Sequence, residues 1–359
     1  MRVVIAPDSL KGTCTATDAA RAIEAGWRSV RPDDDIVIVP LADGGEGTLD
    51  ALDAVPGAER HASEVVGPDG RWVSADWLSL PAGDAVIELA QAAGLPLMGR
   101  PDPMNATTRG VGGLIRIALE QGATSITIAL GGSATTDGGT GALAALGLQL
   151  FDDAGLPLPD GGGALRRLAW IDDHDLVRPP VGGVRLLTDV NNPLLGPEGA
   201  ASVFGPQKGA AAHQVDELEA GLGRLAEVLG ADPSVPGMGA AGGAAYGLAA
   251  LWGATLVPGS VEVARLSGLP DALATADVVI TGEGRFDATS LGGKVVGHVL
   301  GAASSRVIVI AGSIATDWPV SSISLESLAG SPESARTDTE RWLRVAGARA
   351  PEIALAEGC

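Results

Sequence analysis

The sequence predicts an α/β protein in which a Rossmann-like parallel-sheet domain carries a second, mixed α/β domain inserted into it. Short buried-strand runs recur near both ends of the chain, and the first two are separated by a helical apolar spacing. Those runs open into turns that combine glycine with a carboxylate, hydroxyl or lysine. The stretch between the ends differs, because it begins with an alternating pattern around a Pro-Asp-Gly turn. A length of 359 residues agrees with two domains, each large enough for its own core.

In chain order, VVIA at 3–6 reads as a buried strand. The helix after it has apolar residues at Ala16, Ala19, Ala20, Ile23, Trp27 and Val30, with Thr15 and Asp18 as a capping box. DIVIVPL at 35–41 is the next strand, and a further helix starts near Thr48. Two strands joined by a helix are expected to be parallel neighbours with a right-handed crossover. DSLKG (8–12) and ADGGEGT (42–48) then leave the same sheet edge. EVVGPDGRWVSADWLSL at 64–80 reads as an antiparallel hairpin. A helix with Val111, Leu114, Ile115, Ala118 and Leu119 on one face precedes the strand SITIAL. VRLLTDV, ADVVITGEG and RVIVIAGS are later buried strands, each opening into a polar turn. The expected Rossmann-like domain is 1–65 plus 255–359, and the inserted domain is 66–254.

Composition narrows the function. With 46% hydrophobic and 19% charged residues, the chain is compact rather than disordered. A net charge of -20 gives no counterion-release drive toward nucleic acid and repels anionic membranes. Two cysteines, Cys14 and Cys359, supply neither a disulfide framework nor a Cys-rich zinc site. No signal peptide and no run of about 18 apolar residues is visible, so a cytoplasmic location is expected.

The stretch LGGSATTDGGTGALAALG (130–147) places Gly131, Gly132, Gly138 and Gly139 around Ser133, Thr135 and Thr136, with a helix beginning at 143–146. Unhindered backbone N–H groups at a helix start can cradle a phosphate. The same pattern equally serves a tight strand-to-helix connection, and both readings stay open. GTGALA and GMGAAG fit the dinucleotide fingerprint but lack a strand directly before the first glycine. ATSLGGKV fails the P-loop pattern at Ala288 and Val295.

Acids in glycine-rich strand ends are stronger candidates. Asp43, Glu46, Asp189, Glu283 and Asp287 suit either Mg²⁺ coordination or acceptance of a hydroxyl proton. The acids at 33–35 and 172–175 are expected to be solvated surface groups. Lys11, Lys208 and Lys294 are the chain's only lysines; each lies beside glycine, and each is expected at a site. His61, His174, His213 and His298 lack metal-ligand spacing. Ser9 and Ser133 have no local histidine partner for a hydrolase triad. These residues favour phosphoryl transfer with Mg²⁺ to an anionic small molecule, over a nicotinamide-dependent dehydrogenase or a non-catalytic sensor of small acids.

APDSLKG, LADGGEGT, VVGPDG, LGGSATTDGGTGALAALG, TDVNNPLLGPEGA, VFGPQKGA, GMGAAGGAAYG and TGEGRFDATSLGGK, in this order and spacing, resemble the bacterial glycerate kinase type 1 family over about residues 1–330. The resemblance implies an enzyme phosphorylating D-glycerate with ATP and Mg²⁺ to 2-phosphoglycerate, in a cleft between two domains. The alternatives are a 3-phosphoglycerate product or a related hydroxy acid as substrate; the state would be monomer or homodimer. It implies catalytic roles for Asp189, Lys11 and Asp43, and metal contacts from Asp189, Glu283 and Asp287. Substrate or phosphate contacts are implied for Asp8, Ser9, Gly44, Gly45 and Glu46 and for Gly131, Gly132, Ser133, Thr135 and Asp137. Asn191, Lys208, Gly239, Gly242 and Lys294 are implied likewise. The chain departs from the family pattern at Leu10, at Arg109 and Gly113, and at Ala288 or Thr289, where the family commonly has Gln. Of these, Arg109 is expected to add a cation.

Overall fold

The computed structural model describes residues 1–292, 294–315 and 318–356; Cys359 lies outside them. Its strands are β1 (Arg2–Ile5), β2 (Asp35–Ile38), β3 (Glu59–Val66), β4 (Trp72–Ser79), β5 (Asp84–Glu88), β6 (Ser125–Ala129), β7 (Gln149–Phe151), β8 (Trp170–Asp172), β9 (Val184–Leu187), β10 (Thr255–Val257), β11 (Val278–Phe286), β12 (Arg306–Ile314) and β13 (Ser321–Ser324). The chain divides into two compact units, one of Met1–Pro56 with Pro258–Cys359 and the other of Gly57–Val257. The expected boundary between 65 and 66 falls inside β3. That strand pairs with β4 from Glu59 to Val66, so it goes with the hairpin and not with the preceding βαβ unit.

The discontinuous unit holds a sheet of order β13-β12-β11-β1-β2, parallel throughout. The central strands are apolar because both faces are covered, and Val3, Ile5, Ile280, Ile308 and Ile310 are fully buried. β2 ends at Ile38, short of the expected 41; the Val39 and Leu41 N–H groups still donate to the Ile5 and Pro7 carbonyls, but Pro7 has no N–H to return the next bond of the ladder. Helix Ala16–Val30 is capped by the Thr15 hydroxyl, which accepts from the Asp18 N–H at 3.1 Å. Asp34 corrects the expectation of a solvated 33–35 segment: it is buried and accepts from Arg31 and from the Trp27 indole N–H. The Arg31 guanidinium holds its carboxyl well below the usual range.

A long C-terminal helix, Thr339–Ala356, which the sequence pattern left unassigned, lies along helix Ala16–Val30. The two backbones cross at small residues. A Cβ on Gly26 would land on the Arg344 carbonyl oxygen, and one on Gly347 on the Ile23 carbonyl oxygen. Gly26→Ala is therefore expected to cost about 2 kcal/mol through forced separation of the helices. An unchanged urea midpoint would show that the pair can part freely.

The continuous unit has a sheet of order β10-β9-β6-β5-β4-β3. Its first four strands are parallel, while β4 and β3 form the expected antiparallel hairpin. A separate antiparallel pair, β7–β8, went unread because its strands have three residues each. β6 is buried along its whole length, and the loops after β6 and β9 leave one sheet edge.

Candidate functional site

In the discontinuous unit, β1, β2, β11 and β12 all run the same way, so the segments at their carboxyl ends converge on one edge. A cleft of about 880 Å³ opens there, and Asp8, Ser9, Lys11, Asp43, Glu283 and Lys294 line it. Position at the sheet's carboxyl edge is where open α/β sheets bind ligands. The turn after β2 brings only Asp43 into the cleft wall. Gly44, Gly45 and Glu46 continue that turn without lining the cleft, and Glu46 is exposed.

Asp8 is nearly buried, at 9% exposure. Its Oδ1 accepts the Ser9 N–H at 2.7 Å, and its own N–H donates to the Gly282 carbonyl. Burial, with the negative charges of Asp43 and Glu283, pushes its carboxyl up to about 7, against the Ser9 N–H and the Lys11 charge. Asp43 meets the largely exposed Lys11 ammonium at 3.5 Å and accepts the Gly45 N–H at 3.2 Å. Burial raises the Glu283 carboxyl as well, opposed by Ser290 and by Lys294. Lys294 has one hydroxyl contact, to Thr289 at 3.4 Å.

Asp287 stands apart. Its Oδ1 accepts the Thr289 N–H and hydroxyl at 2.9 and 2.6 Å, capping a short 3-10 turn, and its Oδ2 pairs with Arg285 at 3.1 Å. The Thr289 hydrogen bonds hold its carboxyl below the usual range. Asp287, expected at a metal, caps that turn. Glu283 fits a cation better, because its Oε1 is buried with no hydrogen-bond partner. Among the described residues, no three His, Cys, Asp or Glu side chains could hold a metal by themselves.

The glycine-rich loop of the continuous unit resolves the two readings of its sequence residue by residue. Gly131, Gly132 and Ser133 are at least partly exposed, whereas 134–140 are buried. Asp137, expected to contact phosphate, is fully buried. It accepts from the Thr108 N–H and hydroxyl, both at 2.8 Å, from Gly139 N–H at 3.1 Å and from Gly141 N–H at 3.3 Å. Burial raises its carboxyl against these donors. The helix after the loop is Thr140–Ala145, earlier than the expected start at 143, because Asp137 gathers the N–H groups of its first turn.

Lys208, expected at a ligand, is also buried. Its Nζ donates to the Thr135 carbonyl at 2.5 Å, and burial lowers its ammonium to about 8 while the Asp137 charge opposes. Thr135 is thereby covered from one side. On the other, Gly242 lies so close that a Cβ would strike the Thr135 carbonyl oxygen. Ala241, Gly242 and Gly243 are successive left-handed residues, with φ of 51°, 65° and 84°. Gly242 and Gly243 take such values without strain, whereas Ala241 takes its own at a cost, and the absence of a side chain at 242 permits the close backbone packing. Gly239 and Gly242, expected at phosphate, are buried. Asp189 and Asn191 follow β9 and are exposed.

Two departures from the family pattern also resolve. Arg109 adds no free cation, because Asp160 takes its guanidinium at 2.6 and 2.7 Å. Leu10 is a buried side chain of the unit's core. Cys14 is free and half-buried, and burial pushes its thiol up to about 12. No described helix is long and apolar enough to cross a membrane.

A parallel sheet whose carboxyl edge gathers acids and lysines around one cleft is the arrangement of an α/β protein with a ligand site at that edge. A profile of the glycerate kinase family matches residues 3–349, and the chain belongs to that family. It is 46% identical to glycerate 2-kinase of Escherichia coli K12, covering 88% of this chain and 86% of that one. It is 44% identical to glycerate kinase of Halalkalibacterium halodurans, covering 87% and 85%. The crystal structure described as glycerate kinase 2 from Salmonella typhimurium LT2 superposes with a TM-score of 0.86 at 38% identity, covering 99% of this chain and 98% of that one.

Proposed function

We propose that this protein transfers the γ-phosphoryl group of ATP, with Mg²⁺, to the 2-hydroxyl of D-glycerate. The observation that carries the reading is the cleft in which Asp8, Asp43 and Glu283 face Lys11 and Lys294. In a chain of net charge -20, cations gathered against acids serve an anionic substrate together with a proton acceptor. Membership of the glycerate kinase family and the 2-kinase name of the Escherichia coli relative support the acceptor and its position.

In this reading the glycerate hydroxyl oxygen attacks the γ-phosphorus, the bond to the bridging oxygen of ADP breaks, and the hydroxyl proton leaves to a cleft carboxylate. Asp8 is best suited, since burial and its acidic neighbours hold it near neutral pH, where a general base works best. The sequence pattern had favoured Asp43 or Asp189. Lys11 and Lys294 offset phosphate or carboxylate charge, and Asp43 steadies Lys11. Glu283, with its unpartnered Oε1, is the residue to hold Mg²⁺, which commonly needs one or two carboxylates beside water and phosphate. When bound, the ion would neutralise charge on the transferred group. Positioning and electrostatics supply most of the rate in such chemistry.

The test is ADP release by the purified protein with Mg-ATP and D-glycerate, with the product identified by phosphorus NMR. The expected product is 2-phosphoglycerate. A 3-phosphoglycerate product would overturn the position, and no turnover would overturn the substrate. Asp189, given a catalytic role by the family resemblance, does not line this cleft and takes no step in this reading, so Asp189→Asn is expected to leave kcat near normal. A loss of about 100-fold in kcat with the melting temperature unchanged would return the proton-acceptor role to it.

A further inference from the structure

The cleft extends well beyond the acids and lysines already described. Its remaining wall comes from the C-terminal part of the chain, with Leu325, Glu326, Pro332, Ala335, Arg336 and Thr339, beside Ser313 in β12. Leu325 and Ala335 are buried apolar residues, while Pro332 and Arg336 are exposed. The Arg336 side chain makes no hydrogen bond or ion pair among the described residues, although most arginines of this acidic chain are paired with a carboxylate. An unpartnered guanidinium facing a cleft is a ready receptor for a phosphate.

Size decides which ligand fits. Glycerate has seven heavy atoms, whereas about 880 Å³ lies toward the upper end of the roughly 300–1,000 Å³ of sites that enclose drug-sized molecules. The small acceptor needs only the end near Asp8 and Lys11. The remaining length is lined by Leu325, Pro332 and Ala335, with the Glu326 carboxylate, the Thr339 hydroxyl and the Arg336 guanidinium among them, and its size matches a nucleoside carrying a phosphate chain.

Resting on the kinase reading above, we propose that the arm of the cleft bounded by Leu325, Pro332, Ala335 and Arg336 is the nucleoside triphosphate subsite. The base and ribose lie against Leu325, Pro332 and Ala335, and Arg336 takes the phosphate chain. The C-terminal segment thus sets the affinity for the donor and leaves the acceptor alone.

The experiment is calorimetric titration of the full-length protein and of Arg336→Gln and Arg336→Lys with Mg-ATP and, separately, with D-glycerate, alongside melting temperatures. Arg336→Gln is expected to weaken ATP about 10-fold, a loss of about 1.4 kcal/mol, with glycerate affinity and melting temperature unchanged. Arg336→Lys is expected to recover part of the loss. Unchanged ATP affinity in Arg336→Gln, or a loss of glycerate affinity instead, would overturn the subsite while leaving the kinase reading intact. A wild-type protein that does not bind ATP would overturn both.

Discussion

Asp8→Asn is expected to lower turnover about 1,000-fold and, at pH 8, to make the fold more stable than the wild type. The first effect follows from removing the proton acceptor and one charge of the cleft, at the upper part of the range for general base catalysis. The second follows from linkage. The Asp8 carboxyl rises from an ordinary 3.8 to about 7 on folding, so the folded protein holds this proton more tightly than the unfolded chain does. Its favourable contribution is complete below pH 3.8 and is lost as pH climbs through about 7. Ionised Asp8 above that window costs the wild type up to about 4 kcal/mol, a cost that neutral Asn escapes. Urea unfolding between pH 4 and pH 8 should therefore show the variant pulling ahead only as pH rises. Equal pH slopes for the two proteins would mean that Asp8 is ionised as easily in the fold as in the unfolded chain. Greater stability joined to lost activity is the pattern of a group placed for chemistry at the expense of the fold.

The second large effect is of the opposite kind. Asp137→Ala is expected to destabilise the continuous unit by about 4 kcal/mol or more. The substitution strands the Thr108 N–H and hydroxyl and the N–H groups of Gly139 and Gly141 in the interior, where Asp137 is fully buried. It also takes away the negative charge that favours the buried Lys208 ammonium. Asp137→Asn retains one acceptor oxygen and should lose roughly half as much. The check is a urea midpoint followed alongside turnover. A variant that unfolds like the wild type but fails to bind substrate would return Asp137 to the ligand contacts expected from its motif.

These two aspartates show where a sequence can be read and where it cannot. Both lie in segments that follow a strand and carry glycine and hydroxyl residues. Asp8 comes out on a cleft wall, and Asp137 comes out saturated by four donors. Nothing in residue type or spacing separates them, because the difference lies in which other segment covers each loop. For Asp137 that segment is Thr107–Arg109, about thirty positions earlier in the chain. Lys208 and Gly242 carry the same lesson, for their partner is the Thr135 carbonyl, a group that every residue possesses and no sequence pattern marks.

What the sequence by itself determined is local or periodic. Apolar runs specified the parallel strands, alternation specified the β3–β4 hairpin, and the Thr15–Asp18 pair specified a helix start. The ordered motifs placed the chain in its family, and the strand-end rule pointed to Asp43, Glu46, Asp189, Glu283 and Asp287 alike, of which Asp43 and Glu283 line the cleft with Asp8 and Lys11. Only the tertiary structure decided which glycine-loop groups are spent internally, that Asp160 neutralises Arg109, and that Arg336 faces a cleft without a partner. Exposure and pairing depend on contacts between segments far apart in the chain, and the free energy of a charge depends on what surrounds it.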